Sequence, residues 1–174
     1  MKPIVLIDVD GPLNPYATLY PQGPDGYVSH RMKPKGFEYG KGLKVLLNPL
    51  HGPLFLSLEA ELVWATMWED DANKWISPHI GLPELDFIPW TDYYHEYSSN
   101  LYFKTRRIAE WMNANRPGQP FIWIDDECKQ DDLDYLRENC TGFADVMIIS
   151  PRIGLIERDF DSLKVRIAEM REMG

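Results

Sequence analysis

The run Ile4-Val5-Leu6-Ile7-Asp8-Val9-Asp10-Gly11 governs how the rest of the chain reads. Its four apolar residues, mostly β-branched, suit a short strand buried on both faces. Gly11 marks the point where the chain turns away. Side chains alternate with period two along a strand, so Asp8 and Asp10 leave on the same side, into the space beyond its carboxyl end. Two carboxylates that close repel each other, and a divalent cation relieves the repulsion. A lone DxD pair is a weak signal, because acids after strands also cap turns. Its weight rises with each further polar residue found at a strand end.

Further along the chain, Lys44–Leu47, Leu62–Ala65, Phe87–Pro89, Phe121–Ile124 and Val146–Ile149 repeat the pattern of a short buried strand. Between most of them lie helical stretches: Ala72–Ile76, Thr105–Asn113 with Ile108, Trp111 and Met112 on one face, Asp131–Glu138 and Phe160–Met170. Strand and helix in alternation predict a three-layer α/β fold with a mostly parallel sheet. Ligands of such sheets sit beyond the carboxyl ends of the strands, where three more features fall. Thr66 follows Leu62–Ala65 and places a hydroxyl and the next amide at that edge, suited to a phosphate oxygen. Lys104 opens the helix containing Trp111, the end where the helix dipole disfavours a cation, so an anion nearby explains it better. Asp125-Asp126-Glu127 follows Phe121–Ile124 and supplies a second acidic cluster, with Asp125 the favoured ligand because it comes directly after the strand.

In this order, Asp8-Val9-Asp10-Gly11, Thr66, Lys104 and Asp125-Asp126 resemble the four motifs of the haloacid dehalogenase (HAD) superfamily, over roughly residues 4 to 150. Asp8-Val9-Asp10-Gly11-Pro12-Leu13-Asn14-Pro15 and Trp64-Ala65-Thr66-Met67-Trp68 are similar to small HAD-like proteins of actinobacteria and their phages. The resemblance implies a Rossmann-like domain and an Mg²⁺-dependent phosphatase. Asp8 would be the nucleophile that becomes an aspartyl phosphate, and Asp10 the acid and then the base. Thr66 would bind the phosphoryl group and Lys104 would neutralise charge on it. The metal would be held by Asp8, the backbone carbonyl of Asp10 and one of Asp125 or Asp126. Pro12 departs from the pattern by removing an amide donor near the turn.

Asn14–Gly42 breaks the alternation. Its four prolines and five glycines are too many for a long helix or a central strand. It is expected to be a loop or hairpin in the place where many relatives insert a cap, and it is too poor in helix formers to be one. It carries Tyr16, Tyr20, Tyr27, Phe37 and Tyr39 with Arg31, Lys33, Lys35 and Lys41, and suits either a flap over the site or a surface loop packed on the domain edge. The stretch between Thr66 and Lys104 is mostly used by the helix from Ala72 and the strand near Phe87, which leaves no room for a large second cap.

At 174 residues the chain is expected to form one domain, 1–174, with 44% apolar and 26% charged residues typical of a globular protein. Its formal charge of −9 excludes a general nucleic-acid coat. The first fifteen residues offer no signal-peptide core and no run spans a bilayer, so a cytoplasmic protein without a membrane partner is expected. Cys128 and Cys140 lack paired spacing and read as free thiols. His30, His51, His79 and His95 lack metal-ligand spacing and read as loop or surface residues. The tryptophans read as core. The expected partner is a phosphorylated substrate, either a small molecule or a nucleic-acid end. Two other classes compete. A phosphoryl-accepting receiver domain would carry its acidic pair first and its phosphorylated Asp later, the reverse of the order here. An inactive HAD-like scaffold would carry no need for the intact acidic cluster, whose crowding costs free energy.

Overall fold

The computed structural model describes residues 1–90 and 100–173, so His95 lies outside the described residues. The first elements are β1 (Ile4–Ile7), β2 (Val28–Met32), β3 (Leu43–Leu47), α1 (His51–Leu56), β4 (Glu61–Trp64), α2 (Asp71–Trp75), α3 (Ser77–Ile80) and β5 (Asp86–Phe87). They are followed by α4 (Thr105–Asn115), β6 (Phe121–Asp125), α5 (Gln130–Asn139), β7 (Ala144–Ile148) and α6 (Glu157–Glu172). Five strands form a parallel sheet in the order β5-β4-β1-β6-β7. The chain runs outward from β1 through β4 to β5, then crosses to β6 and β7. The reversal leaves β1 at the centre, and the crevice at its carboxyl end is the switch point of the topology.

Alternation along the central strands divides the core. Val5, Ile7, Trp64, Ile122 and Ile124 face one side, against Phe55 of α1 and Phe160 and Leu163 of α6. Ile4, Leu6, Val63, Phe121 and Trp123 face the other, against Ile108, Trp111 and Met112 of α4 and Leu136 of α5. Every residue of β1 is buried, as its uninterrupted apolar run requires. Helices on both faces and the sheet between them are the three layers read from the sequence.

Four local expectations change. Lys44–Leu47 is a strand, but not of the main sheet: it pairs antiparallel with β2 from Val28↔Leu47 to Met32↔Leu43. Its apolar run reflects packing rather than a central position, since Met32, Val45 and Leu47 join the same core as β1. The Pro- and Gly-rich chain before β3 thus ends in a hairpin whose second strand lies past Gly42. Of Phe87–Pro89 only Phe87 is in a strand, the two-residue Asp86–Phe87, because Pro89 has no N–H to extend the ladder. Ala72–Ile76 extends into two short helices that meet at Ile76, with Pro78 in the first turn of the second. Finally, α1 begins His51-Gly52-Pro53, which has the composition of a turn. His51 is buried rather than at the surface, its Nε2 3.1 Å from the Leu155 carbonyl, and burial lowers its pKa to about 4, so it is neutral.

Gly52 lets α1 lie directly on the end of α3, where a methyl group would overlap the Ile80 carbonyl. Gly52→Ala is therefore expected to cost about 3 kcal/mol of unfolding free energy through overpacking, despite alanine's better helix propensity. Urea denaturation checks this, and a neutral or stabilising outcome would show that the two helices can separate.

Candidate active site

Three strands deliver the site. Asp8 follows β1, Thr66 stands two residues past β4, and Asp125 is the last residue of β6. Because β1 pairs in parallel register with both β4 and β6, the ends of all three lie side by side. All three residues are buried.

Lys104 joins them. It precedes α4, and its side chain, only 2% exposed, places Nζ 2.7 Å from Asp8 Oδ2 and 2.8 Å from Asp125 Oδ2. The anions that outweigh the unfavourable helix dipole are thus two carboxylates of the protein itself. Burial works against the ammonium, but Asp8 and Asp125 outweigh it and hold its pKa above the ordinary lysine range. Burial pushes the Asp8 carboxyl up, Lys104 draws it back down and the charge of Asp125 raises it again. The Tyr102 ring lies 5.6 Å from the Lys104 Nζ and stacks on Trp123.

Asp132, in the first turn of α5, fixes this lysine indirectly. Its buried carboxylate accepts hydrogen bonds from the Tyr102 N–H at 2.7 Å, the Thr105 hydroxyl at 2.6 Å and the Lys129 N–H at 2.7 Å. The residues on either side of Phe103-Lys104 are thereby tied to the start of α5.

Asp8, Asp125 and Asp126 each offer a carboxylate oxygen, and these oxygens lie within 4.8 Å of one another. Asp8 and Asp125 are equally committed: besides Lys104, Asp8 accepts the Val9 N–H at 2.8 Å and Asp125 the Glu127 N–H at 2.9 Å. Asp126 is half-buried and accepts the Tyr16 hydroxyl at 2.8 Å. Burial raises its pKa, as does the charge of Asp125. Gly11, at φ +95°, explains itself here, because any side chain would run into the Asp126 carboxylate. Three acids facing one lysine leave excess negative charge, and an all-oxygen donor set on rigid strand ends suits a hard divalent cation such as Mg²⁺.

The Asp10 side chain stands apart from this cluster. The Asn14 Nδ2 donates to its Oδ1 at 2.8 Å and the Trp68 indole N–H to its Oδ2 at 2.9 Å. Asn14 in turn accepts the Leu46 N–H of β3 at 2.9 Å, which links Asp10 to the hairpin. Asp8, Asp10, Thr66, Lys104 and Asp126 share one cavity of about 280 Å³, also lined by Tyr16 and Tyr102. Sequence reading names Tyr16 only among the aromatics of the Asn14–Gly42 segment and misses the roles of Asn14, Tyr102 and Asp132, whose partners are distant in the chain or carry no motif. It places Trp68 in the core. The residue is buried, but its N–H is a polar handle, and only the spacing from Thr66 in Trp64-Ala65-Thr66-Met67-Trp68 points to it.

A family model described as the HAD domain in Swiss Army Knife RNA repair proteins matches residues 4–160. No curated protein gives a match. Among the described residues no helix is long and apolar enough to cross a membrane.

Removing the buried cation while leaving its two carboxylates is expected to be costly. Lys104→Met should lower unfolding free energy at pH 7 by about 3 kcal/mol or more, and adding Asp125→Asn should recover part of the loss. Urea denaturation of the two variants checks the pair. No recovery in the double variant would mean that Lys104 stabilises by packing rather than by charge.

Proposed function

This chain belongs to the family of HAD domains in Swiss Army Knife RNA repair proteins, and on that premise we propose that it is an Mg²⁺-dependent phosphatase acting through an aspartyl phosphate on Asp8. The observation that carries the reading is Asp8 itself: a buried carboxylate at the end of the central strand, paired to Lys104 at 2.7 Å, with Asp10 opening on the same cavity.

An oxygen of Asp8 attacks phosphorus, and the bond from phosphorus to the leaving oxygen breaks. Asp10, protonated, gives its proton to that oxygen, and the phosphoryl group is left on Asp8. A water then attacks the phosphorus and gives a proton to Asp10, releasing inorganic phosphate and restoring both carboxyl groups. Lys104 neutralises Asp8 and the arriving phosphoryl oxygens, and the Thr66 hydroxyl holds one of them. Asn14 and Trp68 fix the Asp10 carboxyl by both oxygens, so its proton arrives from one direction. Asp8, the Asp10 carbonyl and Asp126 or Asp125 would hold Mg²⁺, which when bound offsets the negative charge gathering on the phosphoryl oxygens. The RNA-repair context of the family supports a phosphorylated nucleotide or nucleic-acid end as substrate.

Asp8→Asn is expected to lower turnover of p-nitrophenyl phosphate by at least about 10³-fold, with an unchanged or higher melting temperature in metal-free buffer because carboxylate repulsion is relieved. Excess chelator should stop the parent enzyme, and adding Mg²⁺ back should restore it. Turnover that survives either treatment would overturn the mechanism. Trp68→Phe keeps an aromatic, though smaller, ring and removes the N–H that steadies Asp10. It should lower kcat/KM about tenfold for alkyl phosphates, whose leaving oxygen needs a proton, and much less for p-nitrophenyl phosphate. An equal loss on both would assign Trp68 to packing alone.

A further inference from the structure

A second cleft opens beside the catalytic cavity. It has a volume of about 490 Å³, and Asp10 and Met67 line both spaces. One wall is the chain between the hairpin strands, with Pro34, Lys35 and Phe37; the other is Met67-Trp68-Glu69-Asp70-Asp71, which runs from beyond β4 into the first residue of α2. The side chain that joins the two spaces, Asp10, is the one that protonates the leaving group in the phosphatase mechanism. A phosphoryl group held between Asp8 and Thr66 can direct its departing oxygen past Asp10 into this cleft.

Its chemistry selects what can enter. Phe37 and Met67 are both about half exposed, Trp68 underlies the floor, and together they present an apolar surface suited to a flat ring. The polar part of the lining is mainly acidic. Asp71 accepts the Lys35 backbone N–H at 2.6 Å and Asp70 accepts the Asn73 side-chain amide at 3.2 Å, both neutral donors, and neither acid has an ion pair among the described residues. Such a lining repels further phosphates, which would meet Asp70 and Asp71 with only Lys35 as a cation. It welcomes N–H donors. A pocket of this size also exceeds what a small alkyl leaving group fills.

We propose that this cleft is the leaving-group subsite and that it takes an amino-bearing nucleobase, its face on Phe37 and its amino edge toward Asp70. The substrate is accordingly a nucleoside monoester or chain end whose only phosphate on that side is the one removed. The assignment rests on the phosphatase reading for its placement of the leaving oxygen, but base binding can be read without turnover.

The test has two arms. Binding of adenosine, cytidine and uridine, none of which carries phosphate, is followed by NMR of the Met67 methyl group in the parent protein, in Phe37→Ala and in Asp70→Asn. Shifts with adenosine and cytidine that are weaker with uridine and lost in both variants are expected. Turnover of adenosine and cytidine monophosphates is then compared with that of glycerol 2-phosphate, whose small alkyl leaving group does not fill the cleft. Each variant should raise KM for the nucleotides about tenfold and leave glycerol 2-phosphate nearly unchanged. Nucleoside binding without turnover of any monoester would remove the phosphatase reading and keep the base site. Turnover without nucleoside binding, a KM rise shared equally by both substrate types, or a preference for an aminoalkyl phosphate such as phosphoethanolamine would overturn the base site and leave the phosphatase standing.

Discussion

The Lys104 ammonium between Asp8 and Asp125 holds site and fold together. Parallel strands that end together carry their last side chains to one place, and here those side chains are acids. Without a buried cation the convergence would be strongly unfavourable. The lysine comes from a different layer, the start of α4, so its ion pairs also lock that helix against the sheet edge. Asp132 completes the lock from α5 by holding the backbone and hydroxyl groups that flank Lys104. Fold and site are therefore one electrostatic arrangement. Even so, the lysine does not balance all the acids, and this residual charge leaves the cluster suited to a cation and a phosphoryl group together.

Two neighbouring carboxylates on one strand end have acquired different surroundings. Asp8 is buried, charged against Lys104, and placed among the acids. Asp10 is held by neutral donors, Asn14 and Trp68, and borders the open cleft. Separate environments for paired acids are what a nucleophile and a proton carrier need. The hairpin takes part in this division. Through Asn14, which bonds both Asp10 and the backbone of β3, a segment with the composition of a loose loop becomes part of the site's framework.

Much of this was legible in the chain. The apolar runs located β1, β4 and β6, because central strands buried by both layers leave an unbroken hydrophobic signature, and Val146–Ile149 marked β7 although that edge strand leaves Ile148 exposed. The helices from Thr105, Gln130 and Glu157 showed their 3.6-residue period. Less legible were elements whose signal is weak or mixed. The helix at His51 contains Gly and Pro, β2 is mostly exposed, and β3 is as apolar as a central strand because its residues pack into the core beneath the hairpin.

Local sequence is enough to put Asp8, Asp10, Thr66, Lys104 and Asp125-Asp126 at strand ends or a helix start, since strand periodicity and helix boundaries are local properties. Which of them touch is a matter for the packed chain alone. Lys104 could have faced a substrate instead of Asp8 and Asp125, and only the packing of α4 against the sheet set its position. The partners of Asp10 come from two separate loops, and the carboxylate of Asp132 acts on α4 from the next helix. The requirement for glycine at position 11 shows both levels at once. Its turn was readable after Asp10, but the reason no side chain fits is the Asp126 carboxylate, brought there by the pairing of β1 with β6.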